Sequence, residues 1–276
     1  MNQNSSQSAR RTRALVESAV MISLATVLSI FKLAELPYGG SITLASMLPI
    51  LLVAYRHGAA FGFGSGIVYG VVQQLLGLKN LSYFTTWQSI VAIIFLDYLV
   101  AFGVIGIAAL FRKQKNSRFA LLIGGLSACL LRYACHVISG ATVWAGLSIP
   151  TEAALVYSFV YNATYMIPET IVLLLVLGYL ASSLDFKSAV PKRIATDGIG
   201  SAPLYYLFSG LSLLAALVFD TVSIFKKMQD PNSGEFTLTY LAEVNWVAVT
   251  IVSCALAAVA ILLFVLGFRK SRSQGN

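Results

Sequence analysis

The sequence predicts an all-α integral membrane protein: a six-helix bundle followed by a two-helix transmembrane extension. Three observations carry that prediction. Apolar residues fill 58% of the 276 positions and charged residues only 11%, with a mean hydropathy of +0.80. Apolar runs near 20 residues recur, the length a helix needs to cross ~30 Å of hydrocarbon with its backbone groups satisfied internally. Lys and Arg gather in alternate connecting segments, as positive-inside topology requires.

Residues 1–13 are polar and read as a cytoplasmic tail. The apolar run behind them is too long for a signal peptide and lacks a small-residue cleavage site, so it reads as a retained helix. Helices are expected at 14–33, 42–55, 58–77, 88–111, 119–147 and 153–184, forming one membrane domain over 14–184. The second is short for a full span and contains Pro49, so it is expected to be tilted, broken or partly re-entrant. A cytoplasmic linker at 185–202 leads to a hairpin over 203–268, with helices at 203–225 and 243–268, and a cytoplasmic tail at 269–276 closes the chain.

The third helix carries Gly58, Gly62, Gly66 and Gly70 at strict i, i+4 spacing. Such a stripe lets a neighbouring backbone approach closely in lipid, and helix packing within the bundle is its expected use. In the first helix Ala19 and Ser23, with Ala14 and Ala25 nearby, make a weaker stripe of the same kind.

The net charge of +8 follows from topology. Arg10, Arg11 and Arg13, Arg56, the 112–118 cluster, Lys187, Lys192 and Arg193, and Arg269, Lys270 and Arg272 all fall on one side. Lys32, Lys79, Lys226 and Lys227 fall on the other. Both termini are therefore expected in the cytoplasm of a multi-pass cell-membrane protein, and no nucleic-acid partner is needed to explain the charge. Cys129, Cys135 and Cys254 lie inside spans without metal-ligand spacing and read as packing residues. No Gly-rich loop ends in Lys-Ser/Thr, so energy for active transport would come from another chain or an ion gradient.

Depth is the informative coordinate for the polar residues. Asp97 and Asn162 each lie ~13 Å, and His136 ~16 Å, below the outer ends of their helices. Three hydrogen-bonding side chains from three helices thus share one level in the outer half of the membrane, where an unsatisfied polar group is costly. Nearer the outer surface come Trp144 and Tyr157, with Trp87 at the rim. His136, Gly140 and Trp144 follow i, i+4, i+8 on one face, and Tyr157, Tyr161 and Tyr165 form a stripe beside Asn162. The pattern describes an outward-facing pocket suited to a small, flat, partly cationic molecule, because a buried carboxylate needs a partner and aromatic faces attract cations. Arg132 and Glu169 lie deeper and are expected to form a structural ion pair, with Pro168 kinking the helix beside the glutamate.

The segments GGSITLASMLPI (39–50), LDYLVAFGVIGIAALF (96–111), LLRYACHVISGATVW (130–144) and YSFVYNATYM (157–166) resemble the thiamine-specific S component of energy-coupling-factor (ECF) transporters, the Gram-positive thiamine transporter family. The resemblance covers roughly residues 12–184. It implies a membrane subunit that captures thiamine from outside and hands it to a shared energising module, a transmembrane coupling protein with two ATP-binding-cassette ATPases. It implies no cofactor of the chain's own, since thiamine is the ligand and ATP is used by the partners. Position by position, the family's binding residues match Asp97, Tyr98, His136, Trp144, Tyr157 and Asn162. Some relatives carry glutamate at Asp97, and some carry tryptophan at Gly40, so one stacking wall is either missing here or supplied instead by Trp87 or Tyr83. Ala19 and Ser23 match the small residues through which S components dock on the coupling protein. The last two spans lie beyond the resemblance and read as a peripheral hairpin.

Other function classes stand beside this one. An intramembrane hydrolase would use His136 as base oriented by Asp97, but no nucleophile is suitably placed. A self-sufficient secondary transporter would show internal repeats, and none is evident. An S component for another flat vitamin or a thiamine precursor is the nearest competitor, and the His/Trp/Asn pattern argues against it.

Overall fold

The computed structural model describes residues 2–36, 39–147, 151–152, 154–194, 202–228, 230, 237 and 239–273. The first helix, α1 (Asn2–Ile30), begins well before its apolar run. Residues 2–13 are therefore helical: they contain neither Gly nor Pro, and extending an existing helix is far easier than starting one. Helix α1 ends short of the expected residue 33, because the chain turns at once into a β-hairpin.

Strand β1 (Lys32–Glu35) pairs antiparallel with β2 (Ser41–Thr43), Lys32 facing Thr43 and Glu35 facing Ser41. This hairpin replaces the first part of the helix expected at 42–55. Gly39, at φ 102°, and Ala45, at φ 54°, hold left-handed turns that a helix cannot contain. Helix α2 (Leu48–His57) starts only at Leu48. Pro49 thus sits in the first turn, where its missing N–H is one of the unpaired donors anyway. It opens the helix and does not break it. At ~15 Å, α2 is too short to span a bilayer, yet all residues from Leu48 to Tyr55 are buried, as a helix apolar on every side must be.

The remaining elements follow the expected order. Helix α3 covers Ala59–Leu76, and a 3₁₀ turn, Leu78–Tyr83, leads to α4, Trp87–Phe111. Helix α5 is Ser117–Thr142, started by the Asn116 side chain, which accepts a hydrogen bond from Phe119 N at 3.1 Å. Helix α6 is Ala154–Ser183 and runs unbroken through Pro168. A two-residue ladder, β3 (Leu184–Asp185) with β4 (Lys192–Arg193), stands in the linker. Helices α7 (Ala202–Phe225) and α8 (Trp246–Ser273) form the C-terminal hairpin. Seven of the described helices, all but α2, are long and apolar enough to cross a membrane.

The glycine stripe joins α3 to α4 backbone against backbone. A Cβ on Gly66 would stand 2.4 Å from Phe102 O, and one on Gly70 would stand 2.5 Å from Tyr98 O. Gly58 is not part of this contact. It ends α2 at φ 94°, a conformation that favours glycine.

Charged side chains gather at two opposite ends. At the base, Arg56 pairs with Glu17 and donates to Phe186 O at 2.7 Å and Ala189 O at 2.9 Å, while Arg112 donates to Arg56 O at 3.1 Å. Lys187 Nζ donates to Gln114 O at 2.9 Å. These bonds clamp the linker under the bundle. At the other end Glu35 pairs with Lys32 at 2.7 Å and Lys79 at 3.7 Å. The hydrogen bond from Lys32 holds the Glu35 carboxyl below the ordinary glutamate range.

Arg132 and Glu169 do not form the expected ion pair; among the described residues no contact within 4.0 Å joins them. Glu169, 2% exposed, instead accepts from Thr43 N at 2.5 Å and Thr43 Oγ1 at 2.7 Å, fastening β2 to α6. The Arg132 guanidinium lies over the Phe102 ring, 4.5 Å from its centroid, and its Nη1 approaches Met47 Sδ at 3.2 Å.

Candidate functional site

Helix α4 is α-helical from Trp87 to Ile93, changes to a π-helix over Ile94–Val100, and tightens to 3₁₀ over Val104–Phe111. Asp97 and Tyr98 occupy the middle of the π segment. Such widened turns weaken regular backbone bonding and recur where a helix must aim functional side chains. Here the Gly70 contact with Tyr98 O supports the segment from α3.

Asp97 is the centre of the site. Its Oδ2 accepts from Ser139 Oγ at 2.7 Å and from Trp144 Nε1 at 3.1 Å, and its Oδ1 lies 2.8 Å from His136 Nδ1. Three side chains from one stretch of chain thus converge on one carboxylate. An ionised carboxylate can only accept, so Nδ1 carries the hydrogen, and in the neutral ring Nε2 keeps a lone pair. His136 Nε2 is buried and has no hydrogen-bond partner among the described residues. Leaving such an atom unpaired costs ~1–3 kcal/mol, which a ligand donor would recover.

These groups border a cavity of about 450 Å³, a size ordinary for a small-molecule site. Asp97, Tyr98, His136, Trp144 and Asn162 line it, and the β-hairpin contributes Gly40 and the Lys32–Glu35 pair. Tyr98 OH receives Asn80 Nδ2 at 3.3 Å. A Cβ on Gly39 would stand 2.6 Å from that same Asn80 Nδ2. The hairpin therefore rests on the loop that orients Tyr98.

Asn162 is largely committed to its neighbours. Its Nδ2 donates to Ser158 O at 2.8 Å and to His136 O at 3.2 Å, and its Oδ1 accepts from Tyr165 OH at 2.6 Å. This clip between α5 and α6 holds the histidine backbone in place.

Trp144 does not share a helical face with His136 and Gly140, because α5 ends at Thr142. Val143 N and Trp144 N both bond Ser139 O, at 2.7 and 3.2 Å. The indole reaches Asp97 from this terminal turn, and it is 8% exposed. Phe84 and Tyr83 pack on it at 4.8 and 6.0 Å between centroids. Tyr157 stands outside the cavity lining, behind Trp144 in the cluster formed with Phe84 and Ile93. Trp87 is also outside the lining and is 70% exposed.

The space beside Gly40 is filled by two tyrosines. A Cβ on Gly40 would stand 2.8 Å from Tyr165 Cδ1 and 3.1 Å from Tyr161 OH. These tyrosines line the cavity, as does Arg132, which the sequence reading assigned to structure alone. Ser139 is the residue that the reading missed; its position three residues after His136 places it on the same helical face. Ala19 and Ser23 lie on an exposed face of α1, Ser23 Oγ donating to Ala19 O at 3.0 Å, whereas Ala14 and Ala25 are buried.

Comparison with known proteins adds an independent finding. A family model described as Thiamine transporter protein (Thia_YuaJ) matches residues 15–187. The thiamine transporter ThiT of Bacillus subtilis (strain 168) is 35% identical over 175 residues, 59% of this chain and 87% of that relative. ThiT of Lacticaseibacillus paracasei is 24% identical over 184 residues, 60% of this chain and 85% of the relative. In fold, the chain is similar to the solved structure of ThiT from Listeria monocytogenes. The TM-score is 0.52 at 22% identity, covering 62% of this chain and 94% of that one. The family match ends before α7, so the C-terminal hairpin lies outside it. It includes every residue of the Asp97 network, and the chain belongs to the thiamine transporter protein family, a family of transporters and not of enzymes.

Proposed function

We propose that this protein captures thiamine in the Asp97 cavity and delivers it across the membrane as the substrate-specific subunit of an ATP-driven ECF transporter. The observation that carries the thiamine reading is the convergence of His136, Ser139 and Trp144 on the Asp97 carboxylate beside an unpaired His136 Nε2. Thiamine joins a flat aminopyrimidine to a thiazolium of fixed positive charge. The carboxylate offsets the cation, the aromatic walls stack on the rings, and Nε2 accepts a hydrogen bond from the exocyclic amine.

The base, with Arg13, Arg56, Arg112 and Lys187, faces the cytoplasm by the positive-inside rule, which turns the β-hairpin and the cavity mouth outward. With no nucleotide-binding loop in the sequence, ATP is handled by partner subunits. Ala19 and Ser23, on an outward face of α1, are the docking surface for the coupling protein.

Thiamine added to the detergent-purified protein should quench Trp fluorescence saturably, and Trp144→Phe should abolish most of the signal while Trp87→Phe preserves it. A well-folded protein that gives no response sinks the thiamine reading. Ala19→Trp separates capture from coupling: thiamine binding should stay at the wild-type level while uptake by cells containing the energising module falls at least tenfold. Equal loss of both would assign Ala19 to folding, and uptake by cells lacking the ATPases would remove the ECF reading.

A further inference from the structure

The C-terminal hairpin packs on the side of the bundle that holds the site. Along α7, Gly210 meets Leu175, Thr221 Oγ1 donates to Thr164 O at 3.1 Å, and Phe225 meets Tyr161. These three pairs define one antiparallel register between α7 and α6. The contact at Gly210 is tight, since a Cβ there would stand 2.0 Å from Leu175 Cδ2. Phe225 is 3% exposed, and Met228 just beyond it is also buried in the core of the first six helices. The hairpin is thus seated in the bundle at its Phe225 end.

From Phe225 an unbroken series of ring contacts runs to the carboxylate network. Phe225 and Tyr161 have centroids 5.8 Å apart, Tyr161 and Tyr165 6.0 Å, and Tyr165 and His136 6.1 Å. Tyr161 and Tyr165 are the rings that close on Gly40, where any side chain would collide with them. We infer that the hairpin is part of the binding site's wall: Phe225 is a positioning residue that presses Tyr161 and Tyr165 into the space left by Gly40 and so shapes the pocket around its ligand. A chain without α7 would leave Tyr161 unsupported on that side and the wall it forms with Tyr165 free to relax. The inference rests on the thiamine reading and adds a specificity-determining element from outside the family's matched span.

The test compares full-length wild type with Phe225→Leu, Phe225→Ala and Phe225→Tyr by thiamine titration and dissociation kinetics, with Phe208→Ala, on an exposed face of α7, as control. Aromatic pair contacts of this kind predict a loss of affinity of about three- to tenfold. It should appear in the Leu and Ala variants as faster dissociation and be restored in the Tyr variant, with Phe208→Ala unchanged. Wild-type affinity and dissociation rate in Phe225→Leu would overturn the inference even if the Ala variant fails to fold. A wild-type protein that does not bind thiamine would overturn the underlying reading instead.

Discussion

Asp97→Asn should raise the Kd for thiamine by roughly 10²–10³ while leaving the protein folded. The substitution preserves shape and removes both the charge and one acceptor oxygen. Oδ2 receives two donors, Ser139 Oγ and Trp144 Nε1, and Oδ1 faces His136 Nδ1. An amide NH₂ placed at the first position opposes the indole N–H. Placed at the second, it forces the imidazole into its other tautomer, so that Nε2 changes from acceptor to donor. One arrangement leaves a buried donor unsatisfied, and the other inverts the histidine atom proposed to meet the ligand. Either costs ~1–3 kcal/mol, to which the lost attraction for the thiazolium adds. At ~1.4 kcal/mol per tenfold, the total corresponds to two to three powers of ten.

The comparison that makes the result specific is Asp97→Glu. It keeps the charge and both acceptors and lengthens the reach by one methylene, so it should bind more tightly than the Asn variant and less tightly than wild type. Fluorescence titration gives the order directly, and the melting temperature of each unliganded variant reports folding separately. An Asn variant within threefold of wild type would mean that the carboxylate is structural and that another group carries recognition.

Much of this site was legible in the sequence, for a reason specific to membranes. An Asp, a His and an Asn in apolar helices are tolerated only where they find partners, so equal depth on different helices already implied that they meet. Depth gives no rotation about the helix axis, however. That is why Arg132 and Glu169, at one level, were read as a pair although Glu169 is held by Thr43, a partner supplied by a strand distant in sequence. The π segment was not legible either, because an apolar run such as IFLDYLV satisfies both helix types; the Gly70 backbone packs against it at Tyr98 O. The β-hairpin was hidden by an apolar pattern that serves a short strand as well as a helix. The bond from Trp144 to Asp97 was not legible, since the helix expected to carry Trp144 on the face of His136 ends at Thr142 and the indole reaches the carboxylate from the turn beyond it.

Gly66→Ala should destabilise the protein by about 1–3 kcal/mol, and Gly64→Ala, two residues away on the same helix, should not destabilise it at all. A Cβ at Gly66 would stand 2.4 Å from Phe102 O, 3.0 Å from Gly103 Cα and 3.1 Å from Phe102 C. All three are backbone atoms, so no rotamer change relieves the contact and the two helices must separate. At Gly64 nothing lies within 4 Å, and exchange of glycine for alanine there recovers up to ~1 kcal/mol of helix propensity. Thermal unfolding of the detergent-solubilised variants would therefore move in opposite directions for substitutions of identical composition. Helix separation at Phe102 occurs one turn from Tyr98 and the π segment, so Gly66→Ala should also weaken thiamine binding in the fraction that remains folded. Unchanged stability in Gly66→Ala would mean that α4 can move away without loss, and the stripe would then have no claim to hold the π segment that presents Asp97.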